Sequence, residues 1–460
     1  MDSFDFISPL DYRYIGRDKD FAKIAGFFSE NSRIKYQAKI ELALIKALAA
    51  RKVCSQKVVE EVEKAIQEIK AEEVYNEEDI TKHDIKALVN VLRSKVSEEA
   101  KPFIHLTSTS YDIVDTANSL RFKEGTLELL IPALKELEKT IIELALREKE
   151  TVQIGRTHGQ HAEPITFGYF LACYASRIGQ RIKEIEARAN SLKGKFSGAV
   201  GAYNASSLFF DNALEFEKEV LAQLGLLPSE SSTQIIEPEP LTDLSHAVVS
   251  CFGVLANLAD DLRHLQRSEI AEVAEAFDSK QVGSSTMPHK RNPINFENVK
   301  SFYKEFMPRM TSVYLDQISE HQRDLTNSAS QRFLPELFVG FYSSVKRMDK
   351  ILSKLVVDKE NMRKNFETAS ESIIAEPLYL LFAFKGHPDA HEFLKQLTLK
   401  AQQEKKPLIE IIKQDKEAKE WLEKLDERQK EIALQPEKYI GKAVEKTGLI
   451  CEHWKKELKI

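Results

Sequence analysis

The segment GSSTMPHKRNP, residues 283–293, combines turn-forming and basic residues inside a sequence that is otherwise patterned for helices. Asn292 followed by Pro293 is typical of a helix start, with Asn as the N-cap and Pro at the first helical position. A helix N-terminus presents unpaired N–H groups and a partial positive charge. Because Lys290 and Arg291 stand directly before it, the segment predicts a site for an anion such as a carboxylate or a phosphate. Composition also leaves open a solvated loop whose basic side chains face water.

Two serines open the same segment. Ser284 and Ser285 follow Gly283, so they lie in a glycine-led stretch that precedes the basic residues. A flexible stretch of this kind is what a mobile lid over a binding site needs. The sequence therefore predicts that these hydroxyl groups belong to a lid.

Three further polar segments interrupt the helical pattern, and each groups His, Ser, Thr or Lys beside turn formers. They are TKHD (81–84), HLTSTSYD (105–112) and GRTHGQHAEP (155–164). Binding and catalytic residues concentrate on loops that a rigid scaffold holds in place. A single histidine is more often structural than catalytic, but four such segments together favour a functional site.

The histidines of these segments have alternative interpretations. His158 is either a residue hydrogen-bonded near a helix start or, with His161, an i, i+3 metal pair on a helix. We expect no metal, because the chain has no HExxH motif, no acidic ligand at the usual spacing and no Cys in the four segments. His83 and His105 can each be structural or catalytic.

Missing motifs, the net charge and the distribution of Cys exclude several classes of protein. The chain has no GxxxxGK[ST] loop, and SGAVGAYN (197–204) lacks the GxGxxG spacing, so neither ATP hydrolysis nor a nicotinamide cofactor is indicated. A net charge of -6 argues against general binding to nucleic acid or anionic membranes. The four scattered Cys indicate reduced cytosolic thiols, the N-terminus has no apolar signal region, and no uninterrupted apolar run reaches membrane-span length.

Helical periodicity runs through most of the 460 residues, while Gly and Pro are too scarce for an all-β fold. In 242–266 the apolar residues follow i, i+3, i+4, i+7 spacing, with Thr242 as a plausible N-cap. The segments 129–150 and 166–194 are similar, with Pro132 and Pro164 near their starts. Long helices indicate an all-α bundle. We expect an N-terminal helical domain (1–108), a central long-helix bundle (109–365) and a C-terminal helical domain (366–460).

The polar segments also carry a family resemblance. GSSTMPHKRNP resembles the GSSxMPxKxNP signature of the fumarase/aspartase superfamily, and THGQ and TSTSYD resemble its two other shared regions, in the expected order. Within that superfamily the chain is most similar to the adenylosuccinate lyase family. The residues that carry this similarity are Arg13–Tyr14, His83–Asp84, STQIIEP (232–238), the NPINFEN that continues the signature, and QRDLTNSASQR (322–332).

The resemblance implies a cytoplasmic, all-α homotetramer whose central helices form a twenty-helix bundle, with each active site built from three chains. It implies β-elimination of fumarate from adenylosuccinate, giving AMP, and a second elimination from the succinyl-carboxamide intermediate of purine synthesis. The partners implied are small-molecule nucleotide substrates, and no cofactor is expected.

The chemistry that the resemblance implies suits the residues in question. The proton to be removed lies beside a carboxylate, and its loss builds a doubly charged aci-carboxylate that Lys290, Asn292 and the helix N-terminus can stabilise. The leaving nitrogen needs a proton, and by resemblance the acid is His158. The base is Ser284, whose alkoxide the closed loop must stabilise. From residue type alone His289 would be the choice, but that position varies in the family pattern.

The resemblance also implies a set of substrate-binding residues. Arg13, Tyr14, Arg323 and Arg332 would hold phosphate or ribose, since the arginine fork matches phosphate oxygens. Thr109 and Ser110 would hold a substrate carboxylate, while Gln234 and Asn298 would orient polar groups of the succinyl moiety. The same set contains Lys82, His83, Asp84, Ser285 and Ser328.

Two other functions remain open from the sequence. One is a different elimination enzyme of the superfamily, such as argininosuccinate lyase or carboxymuconate cycloisomerase. The other is a non-catalytic helical scaffold, against which the intact Ser284, His158 and Lys290 argue.

Overall fold

A computed structural model of the chain describes residues 7–277, 287 and 290–460, without the side chains of 369–372. Most of these residues are helical, and the strands among them form three short two-stranded pairs. The all-α fold class is therefore confirmed.

The helices are α1 (Phe21–Phe28), α2 (Glu30–Ala50), α3 (Gln56–Glu68), α4 (Ala71–Thr81), α5 (Asp84–Ser94), α6 (Ser110–Gly125), α7 (Ile131–Arg147), α8 (Phe167–Asn190), α9 (Ala213–Ala222), α10 (Glu239–Leu265), α11 (Ile294–Phe306), α12 (Arg309–Leu315), α13 (Ser328–Leu352), α14 (Lys359–Ile373), α15 (Ala375–Phe384), α16 (Ala390–Glu404), α17 (Leu408–Gln414), α18 (Lys416–Glu423), α19 (Glu427–Leu434) and α20 (Ala443–Leu458). The strands are β1 (Val152–Thr157), β2 (Gln160–Thr166), β3 (Lys193–Gly194), β4 (Leu227–Pro228), β5 (Val273–Ala274) and β6 (Val356–Val357). β1–β2 and β5–β6 are antiparallel, and β3–β4 is parallel.

The chain divides into two compact units. The first contains the residues up to Leu134, Gln180–Gly253 and Ser301–Lys346. The second contains Lys135–Gly179, Val254–Lys300 and Arg347–Ile460. The predicted domain boundaries after residues 108 and 365 stay a prediction.

The core of the first unit lies between α2, α5, α6 and α9. Ile40 and Leu44 of α2 are fully buried, as are Leu88 of α5 and Val220 of α9, and Leu120 of α6 is almost fully buried. Burying side chains of this size stabilises the fold by roughly 1.5–3 kcal/mol each. The helices that begin at the polar segments are therefore held by a packed core.

In the second unit, two apolar clusters support the β1–β2 hairpin and the C-terminal helices. Ile154 of β1 packs with Phe366 of α14. Leu378, Leu394 and Ile411, from α15, α16 and α17, are buried together in the C-terminal cluster. The β1–β2 hairpin therefore packs against α14, which belongs to the same unit.

The predicted helix at 242–266 is confirmed as α10, but its start differs. The helix begins at Glu239, so Thr242 lies inside the first turn and the N-cap prediction is wrong. The Thr242 hydroxyl donates to the carbonyl of Pro238 at 3.0 Å instead. By length and mean hydropathy α10 could also cross a membrane, although charged and polar residues interrupt its apolar sequence. Most of its apolar stretch is buried within the structure, as in the core helix of a globular protein.

The helices predicted at 129–150 and 166–194 are confirmed as α7 and α8. Pro132 lies in the first turn of α7, as predicted. Pro164 does not start a helix, because it lies in β2 opposite Ile154. The segment 155–164 therefore forms most of a β-hairpin, which the helical pattern did not indicate.

Candidate active site

The KHD sequence lies at the junction of α4 and α5. Lys82 ends α4 in the left-handed conformation, with φ +54°, and Asp84 begins α5. His83 is the N-cap of α5, since its Nδ1 accepts the backbone N–H of Lys86 at 3.3 Å. An accepting Nδ1 leaves the ring proton on Nε2. That nitrogen lies 3.4 Å from the hydroxyl oxygen of Ser110, so two of the polar segments meet here.

Thr109 and Ser110 form the start of α6, where a buried carboxylate fixes them. The Thr109 backbone N–H donates to Oδ2 of Asp112 at 2.8 Å in a capping box. Oδ1 of Asp112 accepts from the Lys195 ammonium and from the backbone N–H groups of Ser197 (3.1 Å) and Gly198 (3.2 Å). These bonds tie the predicted carboxylate-binding residues to a second chain segment.

Three predicted binding residues line one cavity in the first unit. Asp84, Ser328 and Arg332 surround a space of about 60 Å³, together with Tyr111. Arg323, also predicted, stacks on the Tyr111 ring with its guanidinium carbon 3.4 Å from the ring centre, and it donates to the Tyr111 hydroxyl. Burial raises the pKa of that phenol, so it stays protonated. The structure thus brings together the HD, TSTSYD and QRDLTNSASQR segments.

Three other predicted residues of the first unit do not line that cavity. Arg13 is exposed on a short helical turn, and the Tyr14 ring packs edge-on against Phe302 at 4.5 Å between ring centres. The backbone N–H of Gln234 donates to the carbonyl of Gln322 at 3.4 Å, which places Gln234 beside the segment that carries Arg323.

In the second unit, His158 occupies a tight turn between β1 and β2. Thr157 pairs with Gln160, and the two residues between them, His158 and Gly159, have φ values of +53° and +74°. Positive φ at both central residues defines a type I′ hairpin turn. The His158 side chain is exposed at the tip of the hairpin. His158 therefore lies neither near a helix start nor on a helix with His161, and its predicted role as the acid stays a prediction.

The basic residues of the signature segment line a surface cleft in the second unit. Lys290 and Asn292 contribute to it with Arg263 and Arg267, and the Lys290 side chain is exposed. The predicted Asn298 lies half-buried in α11 of the same unit. Among the described residues, four basic side chains line the cleft against the two carboxylates of Glu269 and Glu297, so its net charge is positive, as an anion site requires.

The start of α11 differs from the prediction. The helix begins at Ile294 and Pro293 stands directly before it, so the N-cap position falls one residue later than Asn292. The backbone N–H groups of Asn295 and Phe296 each donate to Oε1 of Glu275 at 2.9 Å. Burial raises the pKa of Glu275, and these hydrogen bonds oppose the rise. Because a carboxylate of the chain already takes these donors, the prediction that they bind an external anion is wrong.

Three residues of the signature segment that the sequence analysis considered, the predicted base among them, cannot be placed. Ser284, Ser285 and His289 lie outside the described residues.

Sequence reasoning missed several residues of the first-unit cavity. Tyr111 belongs to a segment that had been singled out, yet only its Thr and Ser were assigned a role. Arg121 is almost fully buried on α6, and Arg33 of α2 lines the same cavity. The one available signal was a charged residue between Leu120 and Phe122, which are both core positions.

Comparisons with known proteins identify the family of the chain. Residues 16–305 match a family model described as Lyase, and residues 319–440 match one described as Adenylosuccinate lyase C-terminal. The adenylosuccinate lyase of Pyrococcus horikoshii is 38% identical over 457 residues, which cover 97% of this chain and 98% of that protein. The adenylosuccinate lyase of Archaeoglobus fulgidus is 32% identical over 458 residues, which cover 98% and 99%.

Solved structures share the fold. A 3-carboxy-cis,cis-muconate lactonizing enzyme from Pseudomonas putida superposes with a TM-score of 0.84 at 24% identity, covering 98% of this chain and 100% of that chain. A fumarate lyase from a Mesorhizobium species has a TM-score of 0.81 at 25% identity, with 94% and 97% covered. The sequence matches span nearly the full length of both partners, and the chain therefore belongs to the adenylosuccinate lyase family.

Proposed function

We propose that the protein cleaves adenylosuccinate by β-elimination, releasing fumarate and AMP, and that it acts in the same way on the succinyl-aminoimidazole-carboxamide ribotide of purine biosynthesis. The structural observation that carries this proposal is the cavity in which Asp84, Tyr111, Ser328 and Arg332 meet. It joins polar segments from three distant parts of the chain. Its mixture of arginine, hydroxyl and carboxylate groups suits a phosphorylated and hydroxylated substrate.

The elimination needs a base, an acid and a cation. Ser284 is the proposed base and His158 the proposed acid, with Lys290 and Asn292 stabilising the carboxylate that gains charge. The exposure of His158 at a hairpin tip supports its role, since an acid must reach the leaving nitrogen. The exposed ammonium of Lys290 beside Arg263 supports a site for a multiply charged anion.

The substrate is held by the remaining predicted residues. Thr109 and Ser110 bind a substrate carboxylate, and their attachment to Asp112 supports a fixed geometry. The phosphate or ribose contacts are Arg13, Tyr14, Arg323 and Arg332; the other proposed contacts are Lys82, His83, Asp84, Gln234, Ser285, Asn298 and Ser328.

We further propose a cytoplasmic homotetramer whose active sites are each shared by three chains. Long helices such as α10 and α13 are suited to a bundle between subunits. Exposed apolar side chains on the helices and loops near the end of the first unit, Leu315, Ile318 and Phe333 among them, support burial against other subunits. A closed symmetric assembly makes every shared site equivalent.

The proposed reaction is tested by mixing the purified protein with adenylosuccinate and following the ultraviolet change as AMP forms. Argininosuccinate and carboxymuconate are assayed in parallel. We expect turnover of adenylosuccinate alone. Faster turnover of either other substrate would replace the proposal with that activity, and no turnover of any of them would favour a scaffold.

A further inference from the structure

Arg121 is a buried cation whose Nε has no hydrogen-bond partner. Its side chain projects from α6, the residue is 3% exposed, and it lines the cavity that also contains Ser328 and Arg332. That Nε is not exposed to solvent, and the carboxylate whose charge acts on Arg121 is that of Glu30. The neighbour of Arg121 is the Phe122 ring, whose centre lies 5.4 Å from the guanidinium carbon.

The carboxylate of Glu30, whose charge raises the pKa of Arg121, is shared with Arg33. Glu30 accepts from Nε of Arg33 at 2.8 Å and from the Tyr75 hydroxyl at 2.6 Å, so its carboxylate is already engaged. A terminal nitrogen of Arg33 donates to the same hydroxyl at 3.2 Å. Arg33 therefore has hydrogen-bond partners, whereas Nε of Arg121 has none.

The cavity as a whole carries an excess of positive charge. Three arginines line it, Arg33, Arg121 and Arg332, against two carboxylates, Glu30 and Asp84. A buried charge that lacks a partner is costly. Burial and the charge of Arg33 lower the pKa of Arg121 to about 10, so the guanidinium remains charged at neutral pH. A bound anion would remove most of that cost.

We propose that Arg121 is a substrate-binding residue that holds the phosphoryl group of the nucleotide substrate in this cavity. The inference rests on the proposed function and adds to it a residue that the family resemblance does not supply. A phosphoryl group carries about two negative charges and three strong acceptor oxygens. Separate arginine forks and a hydroxyl, as Arg121, Arg332 and Ser328 provide, match those oxygens better than they match a planar carboxylate. The cavity volume of about 60 Å³ leaves room for a small tetrahedral oxyanion.

Kinetics with and without the phosphoryl group test the proposal. The kcat/KM of wild type, Arg121→Met and Arg121→Lys is measured with adenylosuccinate and with its dephosphorylated nucleoside. Losing one charge-assisted contact should lower kcat/KM for the nucleotide by about ten- to a hundredfold in Arg121→Met. We expect Arg121→Lys to recover part of that loss and the nucleoside to react with both variants as with wild type. Arg188→Met, which removes an arginine far from the cavity in sequence and paired with Glu184, is the control.

An equal loss with both substrates, or no loss with either, would overturn the proposal. The unfolding temperature of Arg121→Met provides a second test. Because Nε of Arg121 is buried without a hydrogen-bond partner, Arg121→Met should unfold at the same or a higher temperature than wild type without ligand. A large fall in unfolding temperature, or failure to fold, would show a structural role instead.

Binding of inorganic phosphate separates this inference from the proposed reaction, because it needs no turnover. We expect phosphate to raise the unfolding temperature of wild type, to raise that of Arg121→Met clearly less, and to be displaced from wild type by AMP. If adenylosuccinate is not cleaved but phosphate still stabilises wild type more than Arg121→Met, the anion site is supported and the proposed reaction is refuted. Equal binding of phosphate to both proteins would refute the site whatever the activity, and phosphate that AMP does not displace would refute its assignment to the substrate.

Discussion

The hydroxyl oxygen of Ser110 lies 3.4 Å from Nε2 of His83, a contact between two polar segments 27 positions apart. The opposite ring nitrogen of His83 accepts the Lys86 backbone N–H and caps α5. One imidazole therefore starts a helix and faces the residue proposed to bind a substrate carboxylate. The two tasks use different ring atoms, so they can be separated by substitution.

We predict that His83→Asn lowers kcat/KM by tenfold or more, since the Nε2 that faces Ser110 is lost. Asn is a good N-cap, so the free energy of unfolding should stay within about 0.5 kcal/mol of wild type. His83→Ala should lose the same activity and also about 1 kcal/mol of stability, because the cap is lost. Kinetics and chemical denaturation measure both effects. Full activity of His83→Asn would show that His83 only caps the helix.

The buried pair of Asp112 and Lys195 gives a prediction about stability. Both side chains are fully buried, and Asp112 also holds the start of α6. Removing one partner leaves the other charge uncompensated, so Asp112→Asn should cost about 3–5 kcal/mol of unfolding free energy. The double variant Asp112→Asn/Lys195→Met should recover part of this loss. Lys218→Met, which breaks the exposed pair with Glu215, should change stability by less than about 0.5 kcal/mol. Similar losses for the exposed and buried pairs would contradict this account.

Long helices were predictable from apolar spacing, whereas the hairpin was not. In α10 the apolar positions recur at helical spacing, and burial in the core enforces the helix. The helix starts at Glu239, so the Thr242 hydroxyl lies inside it and donates to a carbonyl instead of capping N–H groups. The hairpin at 152–166 has polar residues on both strands, and its turn needs a positive φ at His158, which is not a glycine. The sequence of this hairpin has neither a sustained period-2 pattern nor an Asn-Gly turn from which it could be predicted.

The site was predictable as a set of segments but not as a set of contacts. Asp84, Ser328 and Arg332 were named from the sequence, and the structure places them around one cavity. The carboxylate of Glu275, which takes the first N–H groups of α11, is 20 positions from Asn295 and follows no local pattern. Arg121 was missed for the same reason, because burial of a charge is decided by tertiary packing.

Asp115 predicts a dependence of stability on pH. Burial raises its pKa to about 6 from the ordinary 3.8, although the Ile236 N–H that donates to it opposes the rise. Between these two pH values the unfolded chain releases this proton and the folded chain retains it, so stability falls as pH rises from about 4 to above 6. Asp115→Asn cannot ionise, and its advantage over wild type should grow across this window by up to about 3 kcal/mol. The exposed Asp211→Asn is the control. An advantage that is independent of pH would refute the shifted pKa.

Sharing of sites between subunits predicts complementation. Ser284→Ala and His158→Gln should each lose several orders of magnitude in kcat, because each removes a group that acts in the transition state. If the two residues come from different chains, dissociating and reassembling the variants in equal amounts should restore about a quarter of the wild-type sites. Activity that stayed at the level of the separate variants, in hybrids shown to be mixed, would contradict shared sites.

The most direct measurement of the central claim is identification of the products by proton NMR. Adenylosuccinate is incubated with the purified protein, and Ser284→Ala is treated in the same way. Elimination predicts fumarate and AMP in equal amounts from the wild type, with almost none from the variant. Aspartate or succinate in place of fumarate would show a different bond cleavage, and unchanged adenylosuccinate would show that the chain is not this lyase.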